Sequence, residues 1–120
     1  MKIILTDWIK KKEFPKGITG NEKAIVIKYA NPSLGVPIAG KGLPKATSLI
    51  KAYATSDNGH RRLVYLLRNA SGDMILLFFR SKKDKIGSNV TIKNPDFARE
   101  LDSHIDAAIR DVLNGDFEII

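Results

Sequence analysis

A chain of 120 residues carries 20 Lys and Arg against 13 Asp and Glu, a net charge of +7, and has no cysteine. That length suits one domain, 1–120, with a modest core, and the missing thiol excludes a disulfide framework, a cysteine nucleophile and cysteine-ligated zinc. Two histidines, His60 and His104, are too few and too far apart to suggest a metal site, so neither metal nor cofactor is expected.

Met1–Asp7 is a short apolar run broken by an acid, a poor signal peptide, and no apolar stretch approaches the roughly 20 residues of a membrane span. A soluble cytoplasmic protein without a membrane partner is the expectation. Basic balance of this size attracts a polyanion, and here it is uneven. All but two of the basic residues precede residue 94, the exceptions being Arg99 and Arg110, whereas about half of the acids follow it. A defined cationic face is expected, with an acidic C-terminal segment.

In chain order, residues 2–6 read as a short strand. Thr6 or Asp7 caps a short helix through Glu13, stopped by Phe14-Pro15-Lys16-Gly17. Thr19 and Glu22 have the spacing of a capping box, opening a helix from Gly20 to Ala30 that Asn31-Pro32 ends. Ala24–Ile27 is contiguous and β-branched enough to serve equally as a buried strand. Ser33–Lys45 is rich in Gly and Pro and reads as irregular. Ala46–Ala54 is a strand, and Thr55–Gly59 has turn chemistry. Arg61–Arg68 and Asp73–Arg80 are two strands joined by Asn69-Ala70-Ser71-Gly72. Asn94-Pro95-Asp96 starts the clearest helix, with a cap, a proline at the first position and an acid at the positive dipole end. Phe97, Leu101, Ile105, Ile109 and Val112 form its apolar stripe, and Asn114-Gly115 closes it.

A four-residue loop between the two central strands pairs Arg68 with Asp73, Leu66 with Ile75, Val64 with Leu77 and Arg61 with Arg80. Like charges placed opposite one another destabilise a hairpin unless an anion joins them. Both faces of this hairpin are apolar, Leu63, Tyr65, Leu67, Met74, Leu76 and Phe78 on one and Val64, Leu66, Ile75, Leu77 and Phe79 on the other. Helices are expected to cover one face and a partner the second. Tyr53, Tyr65, Phe78 and Trp8 are assigned to packing.

Asn31-Pro32 before Gly35, Gly42-Leu43-Pro44-Lys45, then Gly59, Arg62 and Tyr65 on a strand, and finally an apolar strand running into Lys82-Lys83-Asp84-Lys85, follow one another in an order that resembles the RelE/ParE/HigB-like toxins of type II toxin–antitoxin modules. The likeness covers roughly residues 31–86. It departs from the pattern at Thr47, where an Arg often follows, at Pro44, at His60 in place of a second Gly, and at Arg80, where an aromatic is common. The resemblance implies an α+β, RelE-like fold, an antiparallel sheet of about four strands packed against N-terminal helices and a C-terminal helix. It further implies a ribosome-dependent endoribonuclease (an mRNA interferase) with ribosome and mRNA as targets and a cognate antitoxin as partner. The ParE-like branch of the same fold is instead a DNA gyrase inhibitor, and a non-catalytic RNA-binding module is a third possibility.

Metal-independent RNA cleavage requires a base for the ribose 2′-hydroxyl, cations for the charged phosphorane and an acid for the leaving 5′-oxygen. Arg62 and Arg80 are the candidates for charge stabilisation, since guanidinium matches phosphate bidentately. His60 is the candidate proton carrier, histidine being the side chain that ordinarily titrates near neutrality. Lys45, Arg61, Lys82, Lys83 and Lys85 are the candidates for binding neighbouring phosphates.

Overall fold

In the computed structural model, residues 1–56 and 59–120 are described; of the turn expected over Thr55–Gly59, Asp57 and Asn58 lie outside them, while Thr55 and Ser56 continue one strand and Gly59 begins the next. The strands are β1 (Ile3–Thr6), β2 (Val36–Ile38), β3 (Thr47–Ser56), β4 (Gly59–Arg68), β5 (Met74–Ser81) and β6 (Phe117–Ile119). The helices are α1 (Asp7–Glu13), α2 (Gly20–Tyr29) and α3 (Pro95–Asn114), and Pro32–Leu34 makes one 3-10 turn. The α+β class is as expected, but the sheet has six strands in the order β2-β3-β4-β5-β1-β6, not four. It is also mixed rather than antiparallel, because β1 runs parallel to β5 while every other pair is antiparallel. The two additions, β2 and β6, are three residues long at the two edges, too short to show a strand period in the sequence. β2 lies in the segment expected to be irregular.

The helices follow their local signals closely. Thr19 Oγ1 accepts from Glu22 N–H and the Glu22 carboxylate accepts from Thr19 N–H, the reciprocal box. Asn94 caps α3 by accepting from Asp96 N–H at 3.1 Å, and Gly115 ends it in the left-handed region. The start of α1 departs from expectation. Thr6 occupies the cap position but its buried hydroxyl makes no hydrogen bond, and Trp8 N–H donates instead to Asp111 of α3 at 2.8 Å.

Helices α1 and α3 pack on β5 and β1, and α2 packs on β3. Phe78 stands against Phe97 and His104 of α3, while Tyr65, on the opposite face, donates its hydroxyl to the Val26 carbonyl of α2 at 2.7 Å. The second face of the hairpin, expected to await a partner, is therefore closed within the chain: Tyr65, Met74 and Leu76 are fully buried and only Leu67 is half-buried. The stripe of α3 behaves as expected, with Phe97, Leu101 and Ile105 buried and Ile109 and Val112 partly so. Among the described residues no helix is long and apolar enough to cross a membrane.

One local feature sets the geometry of the site. From Leu67↔Met74 to Tyr65↔Leu76 the hairpin keeps the expected register, and then a β-bulge admits Leu77 as an extra residue, so that Val64 faces Phe78. Beyond the bulge Arg62, not Arg61, stands opposite Arg80.

Candidate nucleic-acid interface

β4 enters the sheet with Gly59-His60-Arg61-Arg62 and β5 leaves it with Arg80-Ser81-Lys82-Lys83. Antiparallel pairing brings these to one sheet end, and the ladder continues past β5 with Lys82 N–H donating to the His60 carbonyl at 3.1 Å. His60, Arg61, Arg62, Arg80, Lys82 and Lys83 are thus neighbours in space. Lys45 is not among them: it precedes β3 at the far end of that strand, roughly 30 Å away along an extended chain. Lys85 lies past the turn with its Nζ 3.9 Å from Asp96 at the start of α3.

Alternation along β4 then divides the cluster between two faces. Arg61, opposite Ala54 and Ser81, takes the α2 face; His60 and Arg62 take the face of α1 and α3. On that second face the helices cover β5 and β1 and leave β3 open. Tyr53, opposite Arg62, is 53% exposed, so its assignment to packing is corrected. Arg62 lies over the Tyr53 ring at 4.1 Å from its centroid, and Lys51 Nζ is 5.0 Å from the same centroid. One row further along, Thr55 Oγ1 is 3.4 Å from Nδ1 of the exposed His60. An open aromatic ring with two cations on it and an exposed imidazole beside it can stack a base, hold phosphates and move a proton. Lys51 and Tyr53 are not among the residues that sequence motifs single out. Their signal in the sequence is the polar–apolar alternation of Lys51-Ala52-Tyr53-Ala54-Thr55, which marks one wet face.

Arg80 is placed quite differently. Its Nε donates to Glu13 Oε1 at 2.8 Å and its Nη2 to Glu13 Oε2 at 2.9 Å, with Glu100 at 3.3 Å and Asp84 at 3.4 Å. Only 17% of the side chain is exposed, and Glu13 is wholly enclosed. The reading of Arg80 as a free cation at a strand end is thereby corrected: three carboxylates from α1, α3 and the following turn engage its guanidinium. The charge conflict foreseen in the hairpin is resolved internally, since these carboxylates neutralise Arg80, while among the described residues no carboxylate pairs with Arg62.

Glu13 is the centre of this network. On β5, β1 pairs at Met74 and Ile75 alone, which leaves the far part of β5 without a strand on that side. The Glu13 carboxylate fills the gap, accepting from Phe79 N–H at 2.8 Å and lying 3.0 Å from His104 Nε2. Burial pushes its pKa up, but the bonds from His104, Arg80 and Phe79 outweigh that and hold the carboxyl below the usual range. His104 is enclosed too, with Nδ1 at 2.8 Å from the Glu100 carbonyl and its ring stacked on Phe78 at 4.1 Å. The partners of Glu13 lie 67 and 91 residues away in sequence, beyond any local pattern.

Two hollows adjoin these elements. One of about 790 Å³ lies between Lys41-Gly42 and the Ala98, Leu101 and Asp102 side of α3, with no cluster of titratable groups. The other, about 340 Å³, is lined by Gly59, His60, Arg61, Ser81, Lys82 and Lys83. Among the described residues no group of three or more His, Asp and Glu is arranged to hold a metal ion. No family model matches the chain, and neither a curated protein nor a solved structure matches it.

Proposed function

We propose that this protein is a RelE/HigB-like toxin of a type II toxin–antitoxin module, a cytoplasmic, ribosome-dependent mRNA endoribonuclease silenced by a cognate antitoxin. The observation that carries the reading is the open platform on which Arg62 and Lys51 flank the exposed ring of Tyr53, one strand row from His60. A base of single-stranded RNA stacks on Tyr53, and Arg62 and Lys51 neutralise its phosphate. His60 takes the proton from the 2′-hydroxyl, whose oxygen then attacks the adjacent phosphorus. The bond to the 5′-oxygen breaks, that oxygen takes a proton from solvent water, His60 returns its own to solvent, and a 2′,3′-cyclic phosphate remains. Arg62 stabilises the extra negative charge of the phosphorane.

The closed apolar hairpin shifts the antitoxin's contact to the cationic face, where an acidic segment of that partner meets Arg62, Lys82 and Lys83. Engagement of Arg80 by Glu13, Asp84 and Glu100 removes one cation from the set available for chemistry, which favours as second reading an RNA-binding protein without catalysis. Induction of the protein followed by primer extension on translated messages separates the two: cleavage within the reading frames supports the nuclease, and growth arrest with whole messages rejects it. Arrest with DNA damage and whole messages identifies a gyrase inhibitor instead.

A further inference from the structure

We propose that the hollow at the sheet end is a second phosphate subsite, separate from the Tyr53–Arg62 platform, and that a single RNA strand runs along β3 and β4 from one to the other. The inference rests on the RNA reading above and adds the path of the bound strand.

Among the described residues the lining supplies three cations, Arg61, Lys82 and Lys83, together with His60, and no acid. The nearest acid in sequence, Asp84, is turned to other work: its Oδ2 accepts from Ile86 N–H at 2.8 Å, Gly87 N–H at 3.2 Å and Arg80 at 3.4 Å. The carboxylate next to Lys83 is therefore held by other donors of its own turn and by Arg80. The lysine wall of the hollow is also held in shape. Asp84 N–H donates to the Ser81 carbonyl at 3.0 Å and Lys83 N–H to Ser81 Oγ at 3.2 Å. Gly87 closes against the Ser81 carbonyl so tightly that a Cβ there would overlap it. Cations on a preorganised turn lose less entropy on binding than cations on a loose one.

Position argues for continuity with the platform. Tyr53 and Arg62 form one cross-strand row and Thr55 and His60 the next, about 7 Å along the strands. That displacement is about one nucleotide step of an extended strand. His60 belongs to both places, sharing a sheet face with Arg62 and lining the hollow. A base stacked on Tyr53 thus sends its neighbouring phosphate past His60 and over the sheet end, to Arg61 on the opposite face.

The test uses the whole protein and oligouridylates of one to four nucleotides, with affinity measured against length and salt. In the unaltered protein, affinity rises in a step of roughly tenfold when the chain becomes long enough to add the second phosphate. Lys82→Ala combined with Lys83→Ala removes this step while leaving the mononucleotide unchanged, and flattens the salt slope by about 0.7 for each phosphate that is no longer neutralised. Tyr53→Ala weakens every length alike. A lysine variant that loses the same factor at every length, or an unaltered protein with no step, overturns the subsite. The step persisting in a protein that leaves translated messages whole upholds the subsite and rejects the nuclease; cleavage without the step does the reverse.

Discussion

Arg62 and Arg80 face each other across two strands and have opposite fates, and the difference lies in what surrounds each guanidinium. Arg80→Ala leaves the enclosed carboxylate of Glu13 without its bidentate partner, and should cost about 3–5 kcal/mol, read as a fall in denaturation midpoint. Arg62→Ala removes a cation that rests on an exposed ring, so its melting temperature should change little while RNA cleavage falls on the order of a hundredfold. His60→Gln should slow cleavage and leave binding nearly intact, since it deletes a proton carrier and little charge. Glu13 gives a pH signature. Its carboxyl is held below its ordinary value of 4.5, so the stability it contributes is fully present above that pH and is lost as pH falls through the depressed native value. Thermal melts taken from neutrality down to about pH 3 should therefore show a steep acid limb that Glu13→Gln flattens.

At the scale of elements, what local chemistry specifies was readable and what depends on distant partners was not. The capping box of α2, the Asn94-Pro95 start of α3 and its apolar stripe need only residues within one or two turns, and each stands where the pattern indicates. Thr19→Ala should accordingly cost about 1 kcal/mol in a denaturant titration. The cap of α1 was out of reach because Asp111, its acceptor, is 103 residues from Trp8. The hairpin was legible up to Tyr65, and the bulge was not: an extra Leu in an unbroken apolar run leaves no mark in the sequence, yet it decides which arginine faces Arg80. The turn after β5 offers a sharper check. Gly87→Ala forces a methyl group into the Ser81 carbonyl and should destabilise the protein by roughly 1–3 kcal/mol.

For the whole molecule, the sheet explains both how the site forms and why half of it was visible beforehand. The cations at the β4 and β5 ends were legible because an antiparallel hairpin necessarily brings its outer ends together. Lys51 and Tyr53 were marked only by the alternation of Lys51–Thr55, which gives a wet face but no site, since their exposure beside Arg62 depends on α1 and α3 stopping short of β3. On the other side of the sheet α2 closes the apolar second face, which leaves the cationic end as the surface that the proposed RNA would meet. Binding there should weaken steeply with salt. Primer extension on translated messages, after brief induction of the unaltered protein and of Arg62→Ala, tests the central claim most directly. Cuts within reading frames for the first and none for the second are the predicted result; whole messages in a culture arrested by the unaltered protein would contradict it.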